Sequence, residues 1–295
     1  MSDYLYKKNK KYYILLILPA LALYCFSLVG PLLFGTLPSS FYNWNLIKGQ
    51  KNFNGIENYV KLLHDDNFLH ALFFTILLAL VSIILSNVLA FLVAFILDSN
   101  IKGKGLIRSF FFIPNIISGV MVAFVWMFIF TNAIPNIAEK LHLYPIASIS
   151  WFGNSTMAML AVIIVTTWQS TGFLMMLYVA GLQTISKDVI EAATLDGCTG
   201  LKKILKIQIP LLMPTVTINL FVSIANAFKA FDIPLSLTGG GPANSTQTLA
   251  LNIYTDAFGA YKTGYASAKS IVLFLIVAVI AIIQLSMTRK REVQM

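Results

Sequence analysis

Two short stretches of this sequence combine an aromatic ring with side chains that form hydrogen bonds. Gln169 and Ser170 precede Phe173, and Ser223 and Asn226 lie in a second apolar run. Amides and hydroxyls can hold the hydroxyls of a sugar while a ring stacks on its apolar face, so the set suits a saccharide. The same polar groups could instead join helices inside a membrane, where such bonds contribute modestly to stability. The residues alone leave both interpretations open.

Lys229 and Asp232 are the charged residues of the second run. They are three positions apart, so a continuous helix would present both on one face. A local ion pair, or side chains that extend to the membrane surface, is one interpretation. A polar lining along a solute path is the other.

Catalytic, nucleotide-binding and metal-binding signatures are missing from the sequence. It contains no G-x-x-x-x-G-K-[ST] phosphate loop, so we expect no ATP site and no cofactor in this chain. The three histidines and two cysteines lack the spacing of a metal site. We therefore expect neither a catalytic residue nor a bound metal.

The elements that must position these residues are long apolar runs. The chain is 58% hydrophobic and only 11% charged, whereas a soluble domain carries about a quarter charged residues. A run of about 20 apolar residues can cross a bilayer as a helix. We predict an all-α membrane protein with six transmembrane helices. The six runs lie at about 12–34, 71–97, 109–130, 157–180, 212–235 and 267–287.

The basic residues predict the orientation of these helices. Most of the 21 Lys and Arg residues lie in the N-terminal segment, in the loops near 98–108 and 181–211, or after the last run. Because basic loops remain in the cytoplasm, we expect both termini and these two loops to be cytoplasmic. The net charge of +9 then reflects topology and attraction to membrane lipid. Since the charges are divided among short loops, we expect no nucleic-acid partner.

The predicted loop between the fourth and fifth runs has the pattern of two short helices. Ser186 is a possible N-cap for a helix over 188–195, and Asp196-Gly197 would end it. A second helix is predicted to begin at 201–207. A helix–turn–helix that carries no chemistry of its own suits a docking element, and the small Ala192 and Ala193 would let another surface approach closely.

The spacing of this loop resembles the EAA loop of ABC-importer membrane subunits. Glu191-Ala192-Ala193 is followed after three residues by Gly197, and after nine more by Ile207-x-Ile209-Pro210, where the family usually has Leu before the proline. Other stretches are similar to carbohydrate-importer permeases of the glycerol-3-phosphate, multiple-sugar and maltose systems, and the resemblance covers most of the chain. These stretches are FNGIENYVKLL, FFIPNIISGVMVAFVW, WQSTGF, AGLQTISKDVIEAATLDG and SLTGGGPANSTQTL.

The resemblance implies a type I ABC-importer permease fold with six spans. It implies a membrane-spanning subunit of an ATP-driven importer of a sugar, meaning a mono- or oligosaccharide or a polyol, in a bacterial cell membrane. Such a subunit forms half of the translocation pathway with a second, homologous permease. Two ATP-binding subunits hold ATP and Mg, and an extracellular sugar-binding protein delivers the solute.

The resemblance also implies roles for residues at matching positions. The ATPase-coupling residues are Glu191, Ala192, Ala193, Asp196 and Gly197. The substrate-path residues are Gln169, Ser170, Phe173, Ser223, Asn226 and Asp232. The predicted organisation is a single permease domain over 12–288, with a coupling loop at 184–211, between cytoplasmic tails at 1–11 and 289–295.

Two other classes of membrane protein compete with this interpretation. A stand-alone secondary carrier or channel for a small polar solute should show intramembrane acids, internal symmetry or broken helices, and no EAA loop. A membrane-embedded enzyme needs catalytic His, Asp or Ser at membrane depth, and only Asp232 is close to meeting that requirement.

Overall fold

The computed structural model describes residues 15–99 and 101–292. These residues are mostly helical, as the apolar runs predict. In chain order the elements are α1 (Leu15–Ser39), β1 (Tyr42–Trp44), β2 (Lys51–Phe53), α2 (Glu57–Leu62), α3 (Asp66–Asp98), α4 (Lys104–Ile116), α5 (Gly119–Lys140), α6 (Tyr144–Ala147), α7 (Ser155–Thr184), α8 (Lys187–Leu195), α9 (Gly200–Leu211), α10 (Met213–Phe228), α11 (Asp232–Thr238), α12 (Leu249–Tyr254) and α13 (Thr263–Arg289).

Within the described residues, five helices are long and apolar enough to cross a membrane, namely α1, α3, α5, α7 and α13. The pair α9 and α10 makes a sixth candidate, although it bends by 72° at Leu212. The all-helical membrane class is therefore confirmed. Residues 12–14 of the first predicted run lie outside the described residues.

The third predicted run, 109–130, is not one helix. Helix α4 ends at Ile116, Ile117 and Ser118 are extended, and α5 begins at Gly119 and continues to Lys140. Pro114 lacks the N–H that would bond the carbonyl one turn earlier, and Ser118 and Gly119 are weak helix formers. The predicted span was wrong in position, since the helix that is long and apolar enough to cross a membrane is α5.

The fifth predicted run, 212–235, is also broken. Helix α10 ends at Phe228, Lys229 and Phe231 have non-helical dihedrals, and α11 begins at Asp232. The expectation that Lys229 and Asp232 share one helix face was therefore wrong. Pro234 fits the first turn of α11, because proline is tolerated where a helix N–H has no partner.

Each break leaves a backbone carbonyl that a side chain from another segment satisfies. The amide nitrogen Nε2 of Gln169 donates to the carbonyl of Ile117 at 3.2 Å. The hydroxyl of Thr248, at the end of the loop 239–248, donates to the carbonyl of Ala230 at 2.7 Å. Irregular backbone at membrane depth is tolerated when it is buried in protein or lines a cavity in this way.

The larger of two compact units comprises Asp65–Asn252 and Leu273–Met295. The long helices α3 and α7 form its centre, with Ala90 and Ala94 of α3 buried near Leu174 and Tyr178 of α7. Asp65 and Asn154 cap the starts of these helices, each accepting two backbone N–H groups of the first turn at 2.8–3.2 Å. These caps fix where both helices begin.

Helix α4 packs against α7 at Gly172. A Cβ atom at this position would overlap the carbonyl oxygen of Phe111 and lie 2.8 Å from its carbonyl carbon. Only a residue without a side chain permits this approach. The glycine of the WQSTGF stretch is thus explained by packing between two helices.

The smaller unit comprises Met1–His64 and Ile253–Val272. Within it β1 pairs with β2 in an antiparallel hairpin, and the Nζ of Lys51 lies 4.8 Å and 4.9 Å from the ring centres of Tyr42 and Trp44. Lys269, in the first part of α13, is only 1% exposed and forms an ion pair with Asp256 at 2.6 Å. A buried cation with a bonded carboxylate fixes the start of the last helix on the preceding segment.

Candidate functional site

A cavity of about 380 Å³ lies in the larger unit, where α3 and α7 meet the two helix breaks. All six residues predicted for a substrate path line it, so the structure brings together side chains that lie in three separate helices. Helix α7 contributes three of them, α10 two and α11 one. The six are Gln169, Ser170, Phe173, Ser223, Asn226 and Asp232. Contact with a solute stays a prediction for each of them.

The six side chains differ in how much hydrogen-bonding capacity they have left. Ser170 donates to the carbonyl of Thr166 at 2.8 Å, and Gln169 uses its Nε2 on the break after α4. In the described part of the chain, the amide of Asn226 and the carboxylate of Asp232 are exposed and make no side-chain hydrogen bond. Asn226 and Asp232 are thus the residues best able to bond a polar ligand.

Ser223 has a second, structural role beneath the cavity. Its hydroxyl donates to the carbonyl of Asn219 at 2.7 Å and accepts from the Nδ2 of Asn87 at 3.0 Å. The Oδ1 of Asn87 accepts in turn from the hydroxyl of Tyr178 at 3.0 Å. These buried bonds connect α3, α7 and α10. Ser223 therefore joins helices and also lines the cavity wall, so the two interpretations of this residue are compatible.

Lys229 and Asp232 both line the cavity, from opposite sides of the break after α10. They are not paired with each other within 4 Å, so the local ion pair considered from the sequence was wrong. A Cβ atom at Gly119 would lie 2.9 Å from the Cβ of Asp232, so the two helix breaks pack directly against each other. Among the described residues that line the cavity, Lys229 is the one cation and Asp232 the one anion.

Helical spacing of three and four residues would place Ser223, Asn226 and Ala230 in one stripe, but α10 includes only the first two. Ser223 and Asn226 lie on α10 and face the cavity together, whereas Ala230 follows the end of that helix. Ala230 nevertheless borders the cavity from the break itself. The 3–4 spacing placed the first two residues correctly because they precede the break.

Several cavity residues were missed by sequence reasoning. Ser82 and Ser86 of α3 are four positions apart on one face, which is a signal that could have been found in the apolar run. Asn115 stands just before the break after α4, and Thr166 lies on α7 one turn before Ser170. These hydroxyl and amide groups add to the neutral polar character of the wall.

The loop after α7 folds as the sequence predicts. Ser186 caps α8 by accepting the N–H of Asp188 at 3.2 Å, and Gly197 ends the turn with φ +74°. Helix α9 follows and joins α10 at the 72° bend. The left-handed conformation at 197 suits glycine, because a Cβ atom would be strained there.

Of the five predicted coupling residues, four are exposed and one is not. Glu191, Ala192, Asp196 and Gly197 face outward, whereas Ala193 is packed into the interior of the chain. Only Ala192 of the alanine pair is thus exposed to a partner here. Leu195, which sequence reasoning did not select, is 90% exposed at the tip of the segment.

The chain matches a known transport family. A family model described as "Binding-protein-dependent transport system inner membrane component" matches residues 86–292. The chain belongs to this family. The permease is thus a transport component and not an enzyme. Among residues 15–99 and 101–292, no group of three or more His, Cys, Asp or Glu side chains gathers into a metal site.

Relatives of this permease include two curated proteins of similar length. It is 35% identical over 288 residues to the probable starch degradation products transport system permease protein AmyD of Thermoanaerobacterium thermosulfurigenes, covering 98% of this chain and 97% of that one. It is 34% identical over 254 residues to the multiple sugar-binding transport system permease protein MsmF of Streptococcus mutans, covering 86% and 87%. The resemblance to carbohydrate-importer permeases is confirmed.

A solved structure shares the fold of this permease. It is a bacterial alginate ABC transporter in complex with an alginate pentasaccharide-bound periplasmic protein, with a TM-score of 0.80, 19% identity, and 97% of each chain covered. Broken helices were expected of a stand-alone carrier. Their occurrence in a member of this family shows that they do not separate the two classes.

Proposed function

We propose that this permease forms half of the translocation pathway of an ATP-driven importer of a sugar, either a mono- or oligosaccharide or a polyol. The observation that carries the proposal is the cavity, where neutral hydrogen-bonding groups from α3, α4, α7 and α10 line the same wall as Phe173. Hydroxyls and amides bond sugar hydroxyls, and the ring offers a stacking face. The names of AmyD and MsmF support a carbohydrate as the solute.

The charges in the wall agree with a solute that carries no net charge. Lys229 and Asp232 oppose each other in sign, so the pair adds no net charge to the wall and gives neither an anion nor a cation a net attraction. A neutral polyhydroxy solute can form hydrogen bonds with both groups. Gln169, Ser170, Ser223 and Asn226 would then orient it.

The partners of the permease follow from what its own segments do. A second, homologous permease completes the pathway, and an extracellular sugar-binding protein delivers the solute. Two ATP-binding subunits supply the energy, since the sequence holds no phosphate loop. Glu191, Ala192, Ala193, Asp196 and Gly197, with the exposed tip at Leu195, couple the permease to one of them.

The proposed topology places both termini and the coupling segment, which is the predicted coupling loop at 184–211, on the cytoplasmic face of a bacterial cell membrane. The basic residues at 102–108, 202–206 and 289–291 support this orientation. The organisation is a permease domain over 12–288 with its coupling loop at 184–211, and tails at 1–11 and 289–295. The tail at 1–11 lies outside the described residues.

Uptake by substituted importers tests the solute path. In cells that express the whole importer, a panel of labelled sugars identifies the transported solute, and Asn226→Ala and Phe173→Ala are then compared with the wild type. Loss of one hydrogen bond to a neutral sugar should weaken apparent affinity by roughly three- to tenfold, and loss of the ring by at least as much.

Two exposed residues outside the cavity provide matched controls, namely Asn132 and Phe124. Their alanine variants should transport normally. Membrane levels and basal ATPase activity of every variant are measured in the assembled complex. If Asn226→Ala and Phe173→Ala assemble normally and transport with unchanged affinity and rate, the cavity is not the solute path.

A further inference from the structure

A second cavity, which the transport path does not use, lies between the first turns of α10 and the end of α13. It has a volume of about 410 Å³, within the roughly 300–1,000 Å³ of small-molecule sites. We call it the α10–α13 slot. Its lining residues are Pro214, Thr217, Ile218, Phe221, Leu285, Arg289 and Glu292.

The slot is apolar along its length and cationic at one end. Ile218 and Phe221 lie one and two turns beyond Pro214 on α10, and both are partly exposed. On α13, Leu285 precedes Arg289 by one helical turn, about 6 Å along the axis. The apolar wall therefore ends at a guanidinium group at the boundary of two membrane-spanning segments.

Arg289 is the last residue of α13, and Lys290 and Arg291 follow it directly. Glu292 is the one acidic residue of the slot, and among the described residues it forms no ion pair with Arg289 within 4 Å. The guanidinium of Arg289 is thus available to bind a ligand. Because Arg289, Lys290 and Arg291 outnumber Glu292, the local charge is positive. A planar guanidinium binds a phosphate group with two parallel hydrogen bonds.

The two helices are already tied together beside the slot. The Nε2 of Gln284 donates to the backbone carbonyl of Thr217 at 3.2 Å. Helix α10 begins directly after the 72° bend at Leu212, where the coupling segment ends. The slot therefore lies on the same side of the membrane as the coupling segment.

We propose that the α10–α13 slot binds an anionic phospholipid of the leaflet on the coupling side. One acyl chain lies along Ile218, Phe221 and Leu285, and the phosphate is bound by Arg289. This occupant satisfies both properties of the slot, because it is apolar along its length and anionic at the membrane surface. A bound lipid contacts both α10 and α13 just behind the bend, so it stabilises the junction between the coupling segment and the membrane helices.

Native mass spectrometry of the importer, purified in detergent through a tag on this chain, measures the binding. Phosphatidylglycerol and phosphatidylcholine are titrated separately, and inorganic phosphate is added as a competitor. We expect phosphatidylglycerol to bind at least tenfold more tightly than phosphatidylcholine, without displacement by millimolar phosphate.

Substitutions at two adjacent basic residues distinguish a specific lipid site from general electrostatic attraction to anionic lipid. Arg289→Gln removes a charge-assisted hydrogen bond and should weaken phosphatidylglycerol binding more than tenfold. Lys290→Gln removes the same charge outside the slot and should weaken it no more than about fivefold. Leu285→Phe fills the slot and should reduce the binding of both lipids while Arg289 remains in place.

Four results would overturn the proposal. They are equal loss for Arg289→Gln and Lys290→Gln, no preference of the wild type for phosphatidylglycerol, displacement of the lipid by inorganic phosphate, and unchanged lipid binding by Leu285→Phe. Binding to this chain alone but not to the assembled importer would likewise overturn it, because the slot would then be covered by a partner subunit.

Discussion

Replacing Gly172 by alanine tests the packing that positions the break after α4. The new Cβ would overlap the carbonyl oxygen of Phe111, and it would lie 3.2 Å from the Cα of Phe112. These obstacles are backbone atoms of a helix and cannot rotate away, so α4 and α7 must separate. Overpacking of this kind costs about 1–3 kcal/mol, and we expect the upper end here.

The loss of stability expected for Gly172→Ala can be compared with the effect of the same substitution at Gly105, a matched glycine in the same helix pair. Gly105 lies in α4, and a Cβ there would meet no atom within 4 Å. Gly105→Ala should be neutral or stabilising by up to about 1 kcal/mol, because alanine restricts the unfolded chain. The two substitutions are chemically identical, so opposite signs would isolate the helix contact.

Intrinsic tryptophan fluorescence during heating of the purified importer measures the effect. A loss of about 3 kcal/mol should lower the melting temperature of Gly172→Ala by about 6–12 °C. Uptake should fall as well, since α4 carries the break whose carbonyl at Ile117 is bonded by Gln169. A melting temperature for Gly172→Ala equal to that of Gly105→Ala would refute the reasoning.

Four further outcomes are expected. Gly197→Val should leave the permease in the membrane but reduce co-purification of the ATPase subunit. The reason is that a β-branched residue opposes the left-handed turn at φ +74°. Normal co-purification with normal uptake would contradict this prediction. Asp256→Asn should destabilise the chain by about 3–5 kcal/mol, because it leaves the buried ammonium of Lys269 without its carboxylate; Lys269→Met should cost less in the same melting assay. Tyr178→Phe should lower the free energy of unfolding by about 1–3 kcal/mol, because the buried amide of Asn87 loses one hydrogen bond. A melting temperature equal to that of the wild type would argue against the hydrogen bonds that join Tyr178, Asn87 and Ser223. Lys61 lowers the pKa of Glu57 by a hydrogen bond and by charge. Any stability of the wild type relative to Glu57→Gln should therefore be present above the ordinary carboxyl pKa of 4.5 and vanish as the pH falls through the lowered pKa. A stability difference that persists in strong acid would contradict this origin.

The apolar runs predict the helices but not where they break. Ser118 and Lys229 stand inside runs whose hydropathy continues on both sides, so hydropathy alone does not locate the interruptions. Each break is stabilised by a donor from a remote segment, Gln169 in one case and Thr248 in the other. Such long-range bonds cannot be derived from local propensity, because tertiary contacts override it.

The parts of the candidate site that the sequence predicted are those where the spacing of capping and turn residues determines the local structure. The caps and glycine of the coupling segment follow from local rules, and Ser186 and Gly197 occupy the predicted positions. The burial of Ala193 and the exposure of Leu195 depend on which face of α8 packs inward, and the segment is too short for periodicity to decide this. Ser82 and Ser86 were missed because hydroxyl pairs are common in membrane helices.

The paired breaks at Ile117 and Ala230 have a consequence for how this family diversifies. Both residues border the cavity. Each main-chain carbonyl accepts one hydrogen bond, from Gln169 or Thr248, and has a second lone pair besides. A mutation can exchange any side chain of the wall, but every residue retains its carbonyl group. On the proposed transport path, side-chain substitutions can therefore change which solute is selected, while these carbonyl acceptors persist. The backbone thus gives the cavity a polarity that mutation cannot remove, and selectivity can change around it.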